Sequence, residues 1–398
     1  MFFRNKEAMK KKILVLGGGF AGVEAAIRLR KFGYDVTLVS NRDYLFVYPI
    51  SIWIPVKKKT FNQVKIDLSK LSKKHGFEVI IDEVIQINSE ENMVILQSGN
   101  IEYEYLVVAF GMGKLAKKGL ENTHSICGKP EEADIIKEEL DKLVRQGHGK
   151  IAIGFGGNPK DPTATSVRGG PAFELLFNFS HYLKKLKLRD QFEITFFAPM
   201  AEPGKKMGDK PYKKMDLFFS RYNIAVRKGT KISHFEKGSI NFADDTKLES
   251  DLIIFIPGGD GHPVLKKSDL PLSKAGFINI DEYCQVDDTN NVYAIGDVTT
   301  LKGPKWAAKQ GHIAEVMADA AAYNIHKQIS GKEKRRDYKK HLNIICVMDS
   351  GDGAAFIKRA PDTEIIIPLP IIGHWLKKFW GYYYINSKLK RIPRIPGM

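Results

Sequence analysis

The chain has 398 residues, 43% of them hydrophobic and 27% charged, a composition that suits a soluble fold with room for two domains and a tail. No apolar run approaches the ~20 residues a membrane-spanning helix needs. The N-terminal segment Met1–Lys6 has no apolar signal core, and the three distant cysteines form neither a disulfide framework nor a metal-ligand spacing. The formal net charge of +16 calls for an anionic partner. With no nucleic-acid-binding module in the sequence, an anionic lipid surface is the better match.

In chain order, the apolar strand Lys12-Ile13-Leu14-Val15-Leu16 runs into Gly17-Gly18-Gly19-Phe20-Ala21-Gly22 and then a helix. Gly17 permits the tight turn, Gly19 lets the backbone approach a pyrophosphate, and Gly22 lets helix and strand pack closely. The free N–H groups of the helix start then face the phosphates. A strand before and a helix after are what make GxGxxG a dinucleotide site. The next predicted strand, Asp35–Val39, ends at Ser40-Asn41, without the acid that usually holds ribose hydroxyls, which weakens a plain NAD reading. Val79-Ile80-Ile81 and Met93–Leu96 predict a β-rich insertion, and Tyr105–Val108 predicts a further strand closing on Gly111.

An amphipathic helix is expected from Glu131 to about Gln146, followed by a second Rossmann-type strand, Lys150–Phe155, and the turn Gly156-Gly157. There the pattern breaks. Asn158-Pro159-Lys160-Asp161-Pro162 puts two prolines and an acid where phosphates would sit, and helix resumes only at Pro171. The second domain therefore reads as a dinucleotide fold that has lost NAD(P)H binding. Asp251–Pro257 is expected to return the chain to the first domain, where Asn291–Ile295 forms a strand ending in Gly296-Asp297. Gly311 to about Ile329 makes an alanine-rich helix, and Gly331–Arg336 a charged linker.

In the tail, Trp375, Leu376, Phe379, Trp380, Tyr383 and Tyr384 recur at three- and four-residue spacing, with Lys377, Lys378, Lys388, Lys390 and Arg391 between or beyond them. This predicts a helix lying in a lipid headgroup layer, bounded by Pro368 and Pro370 before it and Pro393 and Pro396 after it. Packing on its own domain, or on a second copy in a homo-oligomer, is the alternative. The expected architecture is α/β: a discontinuous cofactor domain (1–115 and 250–330), a second Rossmann-like domain (116–249) and a C-terminal interface and membrane-binding region (331–398).

The three glycine-closed strand ends resemble the FAD-binding domain of two-dinucleotide-fold flavoproteins. Over nearly its whole length the chain resembles the sulfide:quinone oxidoreductase and flavocytochrome c sulfide dehydrogenase family. The resemblance rests on Val36–Ser40 with Tyr44–Pro49, Ser125-Ile126-Cys127, Gly170-Pro171-Ala172-Phe173-Glu174, Lys309-Gln310-Gly311, and above all Cys346–Phe356. It implies FAD held by Gly17, Gly19, Gly22, Ser40, Asn41, Pro49, Gly111, Gly296 and Asp297, with Lys309 placing positive charge beside the flavin pyrimidine. It also implies catalytic roles for Cys346, Cys127 and Glu174. The expected activity is oxidation of sulfide, polysulfide or a related reduced sulfur species, with a quinone as acceptor, by a monotopic protein on a membrane.

The chain departs from that family where it matters. The middle redox cysteine corresponds to Arg168, and a histidine after the first cysteine corresponds to Glu131. A cysteine pair takes up sulfide because attack on one sulfur releases the other. A single thiol can start only from a persulfide or another oxidised form. Arg168 is expected beside Cys346, favouring its thiolate and attracting anionic sulfur. Cys127, bonded to the flavin methyl group in some family members, is a candidate for covalent attachment, and Cys284 is expected to be structural. Simpler roles are an apolar space-filler for Cys346, a helix cap for Asp297, an exposed lysine for Lys309 and a dipole partner for Glu174. Two rival functions stand: a type II NADH:quinone oxidoreductase, whose quinone-side helix Ala307–Gly311 resembles, and a flavin-binding paralogue without turnover.

Overall fold

The structure is a computed structural model describing residues 11–394; Met1–Lys6 and Pro396, read above, lie outside them. The first domain is built on β1 (Lys12–Leu16), α1 (Phe20–Lys31), β2 (Asp35–Ser40), β3 (Glu78–Ile81) and β4 (Tyr105–Val108). The second contains α2 (Glu132–Gln146), β5 (Gly149–Phe155), α3 (Gly170–Lys185), β6 (Phe192–Ala198), β7 (Ile224–Lys228) and β8 (Leu252–Ile256). The chain then adds β9 (Val292–Ala294) to the first sheet and packs α4 (Gly311–Ile329) against α1. The two main sheets are parallel throughout, in orders β9-β4-β1-β2-β3 and β7-β6-β5-β8. The central strands β1 and β4 carry apolar runs, Ile13–Leu16 and Leu106–Val108, buried on both faces.

Two boundaries differ from expectation. Val79-Ile80-Ile81 is no insertion: it belongs to β3, the edge strand, with Leu38 opposite Val79. The insertion is the neighbouring antiparallel sheet of Val84–Asn88, Met93–Leu96 and Gly99–Glu102. Likewise β8 does not return to the first domain. It pairs with β5, Ile153 opposite Ile254, and all five of its residues are buried. A short apolar run announces burial on both faces but not which sheet supplies it.

The C-terminal region is an antiparallel sheet of β10 (Ile344–Asp349), β11 (Gly353–Ala360) and β12 (Thr363–Pro370), followed by α5 (Ile372–Lys388). Pro368 and Pro370 lie inside β12, an edge strand, where a missing N–H is tolerated. The aromatic stripe of α5 splits in two. Ile371, Ile372, Trp375 and Tyr382 are 67%, 70%, 63% and 61% exposed, with Leu376 and Phe379 exposed beside them. Tyr383 and Tyr384 are buried, and Tyr384 stacks on Phe20 and Trp380 at 4.9 and 5.3 Å. No helix among the described residues is long and apolar enough to cross a membrane.

Two of the tail lysines expected among headgroups are buried instead. Lys377 pairs with Glu174, while Lys388 pairs with Glu24 and, at 2.6 Å, with Glu315. Arg394 joins Glu24 at 2.5 Å. Burial pushes the Glu24 carboxyl up, but Lys388 and Arg394 outweigh it and hold the group well below the usual carboxylate range. The end of α5 is thereby fastened to α1 and α4.

Candidate functional site

In the first sheet Leu16, Val108 and Ala294 lie side by side in register, so the turns that follow β1, β4 and β9 gather at one end of the sheet. Gly17 has φ +115° and is packed against the backbone of Ala109, and a side chain on Gly22 would strike the Gly17 carbonyl. A side chain on Gly19 would meet nothing within 4 Å. Gly19 is the extended N-cap of α1 and makes no side-chain cap hydrogen bond. This open backbone face at a helix start is shaped for a phosphate.

Gly111 also faces open space, and Gly296 begins a single turn, Gly296–Val298, above Ala21 and Ala314. Pro49 lies in the short helix Tyr48–Ser51, tied down by the Tyr48 hydroxyl donating to Gly128 O at 2.9 Å. Ser40 lies beside the glycine turn, where a side chain on Gly18 would strike its hydroxyl. Its hydroxyl closes its own turn, donating to Arg42 O at 2.7 Å and accepting from Arg42 N at 3.2 Å, while Asn41 is exposed.

Asp297 is engaged by Arg168, whose Nη2 donates to its Oδ2. Lys309 is buried rather than exposed: Nζ donates to Asp297 O at 2.8 Å and lies 3.0 Å from the centre of the Phe277 ring. Burial drives its ammonium well below the usual lysine range; the Asp161 carboxylate opposes this and the Arg168 guanidinium adds to it. Arg168 thus reaches from the loop before α3 across to Asp297 of the first domain, and it also faces Cys127. Burial pushes the Cys127 thiol up and Arg168 pulls it back. Glu131, in the histidine position, accepts a hydrogen bond from the Tyr44 hydroxyl at 2.9 Å.

The turn after β5 is closed. Asn158 Nδ2 donates to Gly259 O at 2.9 Å and Asp260 Oδ1 at 3.1 Å. Asp161 accepts from Thr163 Oγ1 at 2.6 Å, Ser166 N at 3.0 Å and Ser166 Oγ at 2.8 Å. Burial pushes the Asp161 carboxyl up, but the hydrogen bonds from Thr163 and Ser166 outweigh it and hold the group low. A side chain on Gly156 would run into the Phe255 ring, and Gly157 sits beneath Gly258. Gly156 serves packing against β8, whereas a side chain on Gly157 would make only ordinary contact with Val167 and Met200; what sets this turn apart from the first is the hydrogen-bonded loop of Asn158 and Asp161 that follows it.

Cys346 lies on β10, half-buried, with Glu174 and Lys377 as the charges that face it. Burial, reinforced by Glu174 and opposed by Lys377, pushes its thiol up to about 12. The cation near Cys346 is therefore Lys377 and not Arg168, a correction to the sequence reading. Glu174, buried on the second turn of α3, accepts from Lys377 Nζ and from Asp349 N at 2.8 Å. Burial raises its carboxyl and Lys377 opposes the rise.

Asp349 accepts from Trp53 Nε1 at 3.1 Å and Gly351 N at 3.0 Å, and bonds His374 Nδ1 at 2.5 Å. Burial works against its charge, but His374 outweighs it and holds the carboxyl at about 2. All three cysteines are free thiols. Cys284 is fully buried with Sγ 3.7 Å from Met317 O, the packing role expected of it.

Residues 11–318 match the pyridine nucleotide-disulphide oxidoreductase family. The chain belongs to that family. It is 27% identical to the sulfide-quinone reductase of Aquifex aeolicus over 95% of this chain and 91% of that protein. It is 23% identical to a type II NADH:quinone oxidoreductase of Staphylococcus epidermidis over 93% and 98% of the respective chains. The structure of the Aquifex aeolicus sulfide:quinone oxidoreductase superposes with TM-score 0.84 at 23% identity, covering 96% of this chain and 92% of that one. NDH2 from Plasmodium falciparum, in complex with NADH, superposes with TM-score 0.71 at 15% identity over 95% and 98%. Both share the fold. The chain is an FAD-dependent oxidoreductase, and the open face at Gly19 with the uncapped start of α1 fits the pyrophosphate of that cofactor.

The sequence reading did not anticipate the network that joins Lys377, Asp349, His374 and Trp53 to Glu174. Only Asp349 carried a signal, since it follows Cys346 within the motif. Lys377 sits among aromatics on a tail helix, and its partner Glu174 is 203 residues away.

Proposed function

We propose that this oxidoreductase oxidises sulfide or a related reduced sulfur species and passes the electron pair to a membrane quinone while resting on a lipid surface. The observation that carries the sulfur side is the buried Glu174–Lys377 pair against Cys346. HS⁻ loses two electrons and a proton to become zero-valent sulfur; a quinone gains two electrons and two protons, so one proton is taken up overall. FAD, when bound at the first cradle, relays the electron pair between the two. Lys377 draws the anionic sulfur species to the site and Glu174 carries a proton on its carboxylate. Cys346 acts alone: a new S–S bond to the sulfur of HS⁻ would form with the electron pair accepted at the flavin site and the protons released, Glu174 being the carboxylate that faces Cys346 to take one, leaving a persulfide where the family resemblance implies a cysteine pair.

The exposed apolar residues of α5 support docking on a membrane. Ile345, exposed next to Cys346 in β10, supports a lipid-soluble acceptor arriving from that side. NADH as donor is disfavoured by the closed turn after β5.

The test is anaerobic mixing of the purified yellow protein with sulfide and, separately, with NADH, following bleaching of the flavin band. Rapid bleaching by sulfide that is lost in Cys346→Ser is expected. Bleaching by NADH alone would select the type II NADH:quinone oxidoreductase reading, and bleaching by neither would select the paralogue without turnover.

A further inference from the structure

A crevice of about 540 Å³ runs between α5 and the segment from Lys59 to Lys70. Five cations line it, Lys59, Lys65, Lys70, Lys378 and Arg391, against one acid, Asp67. Asp67 is already taken by Lys70 at 2.5 Å. Among the described residues the other four have no carboxylate partner. Lys65 lies 5.4 Å from the centre of the Tyr44 ring, Lys378 lies 4.7 Å from that of Trp375, and Arg391 Nη1 donates to Asn386 Oδ1 at 3.3 Å.

The same helix treats its other cations differently, since Lys377 and Lys388 are each matched by a buried carboxylate. Four unmatched like charges around one cavity repel one another, and a bound anion relieves that repulsion. The anion does not come alone. Tyr382 belongs both to the crevice wall and to the exposed apolar strip of α5, and Ile385 continues that wall. A ligand with an anionic head and apolar chains satisfies both surfaces at once.

We propose that this crevice binds the phosphate headgroup of an anionic glycerophospholipid, with the acyl chains leaving along Tyr382 and the exposed face of α5. The bound lipid fixes how the protein sits on the membrane. This rests on the membrane-docking part of the proposed function.

The test floats the FAD-loaded full-length protein with vesicles of phosphatidylcholine alone or with phosphatidylglycerol added. Two charge-equivalent double variants are compared, Lys65→Gln with Lys378→Gln in the crevice and Lys213→Gln with Lys214→Gln on another surface; the flavin spectrum and melting temperature of each report folding. Partition onto phosphatidylglycerol vesicles is expected to fall about fivefold per crevice lysine removed, with the control pair keeping wild-type partition and phosphatidylcholine binding unchanged. Dihexanoyl phosphatidylglycerol is expected to raise the melting temperature of the wild type but not of the crevice variant, and inorganic phosphate to raise neither.

Equal weakening by both double variants would mean diffuse surface attraction and would overturn the crevice while leaving membrane docking intact. Stabilisation by inorganic phosphate alone would make this a soluble-anion site and overturn the lipid assignment. Failure of the wild type to float with either vesicle would overturn membrane docking itself, and the lipid site with it.

Discussion

After β1 the chain turns at Gly17–Gly19 and enters α1 at Phe20; after β5 it turns at Gly156-Gly157 and wanders through Asn158–Arg168 before α3 begins at Gly170. The two strands occupy interior positions in two parallel sheets of the same kind. In the first turn, Gly19 keeps a bare backbone face pointed at open space. In the second, Gly156 is pressed against Phe255, and the carboxylate of Asp161 organises the loop that follows. Glycine after a strand is therefore not itself a nucleotide site. What matters is whether the glycine's missing side chain leaves room for a ligand or for the protein.

The largest expected effect is that of Gly22→Val, which drives a branched side chain into the Gly17 carbonyl. Urea unfolding is expected to show a loss of about 3 kcal/mol, and the purified protein no flavin absorbance. Gly19→Val separates folding from binding. The first carbon of its side chain meets nothing within 4 Å, so the apoprotein should lose only the N-cap preference of about 1 kcal/mol while FAD affinity falls about tenfold or more. Unchanged affinity in a flavin titration would place the pyrophosphate elsewhere.

Asp161→Ala probes the second turn, where it orphans Ser166 and Thr163 at a cost of ~1–3 kcal/mol at neutral pH. The sign with pH follows from the depressed carboxyl of Asp161. Its contribution is fully present above about pH 4 and is lost as pH falls through the lower folded value. The variant and wild type should therefore converge in stability on acidification, as read by unfolding at several pH values. The smallest expected effect is that of NADH on the oxidised protein. With the second turn closed, millimolar NADH should move the melting temperature by no more than about 1 °C.

Much of the fold is legible because its signals are local. The first glycine turn, α2 and α4 all declare themselves within a dozen or so neighbouring residues, through apolar periodicity and glycine placement. β3 and β8 do not, because sheet membership is decided by partners far along the chain. The same divide runs through the site. Cys346 and Glu174 sit in recognisable stretches, but Arg168 turns towards Asp297 and Cys127, and Lys377 turns inward to Glu174. Which way a long cationic side chain points depends on where the nearest buried carboxylate lies, and that is a three-dimensional fact.

The knot of Lys388, Glu24, Glu315 and Arg394 has a mechanical consequence. Glu24 sits on the very helix whose first turn forms the cofactor cradle, and it is fully buried. Without the tail, that carboxylate loses Lys388 and Arg394 and keeps only Arg28, at 2.7 Å, on its own helix, and breaking a buried ion-pair network in this way costs about 3–5 kcal/mol. The helix bearing the exposed apolar face and the helix bearing the glycine motif therefore stand or fall together. A protein cut short before Lys388 would betray the damage first by losing its yellow colour, whatever became of its grip on lipid.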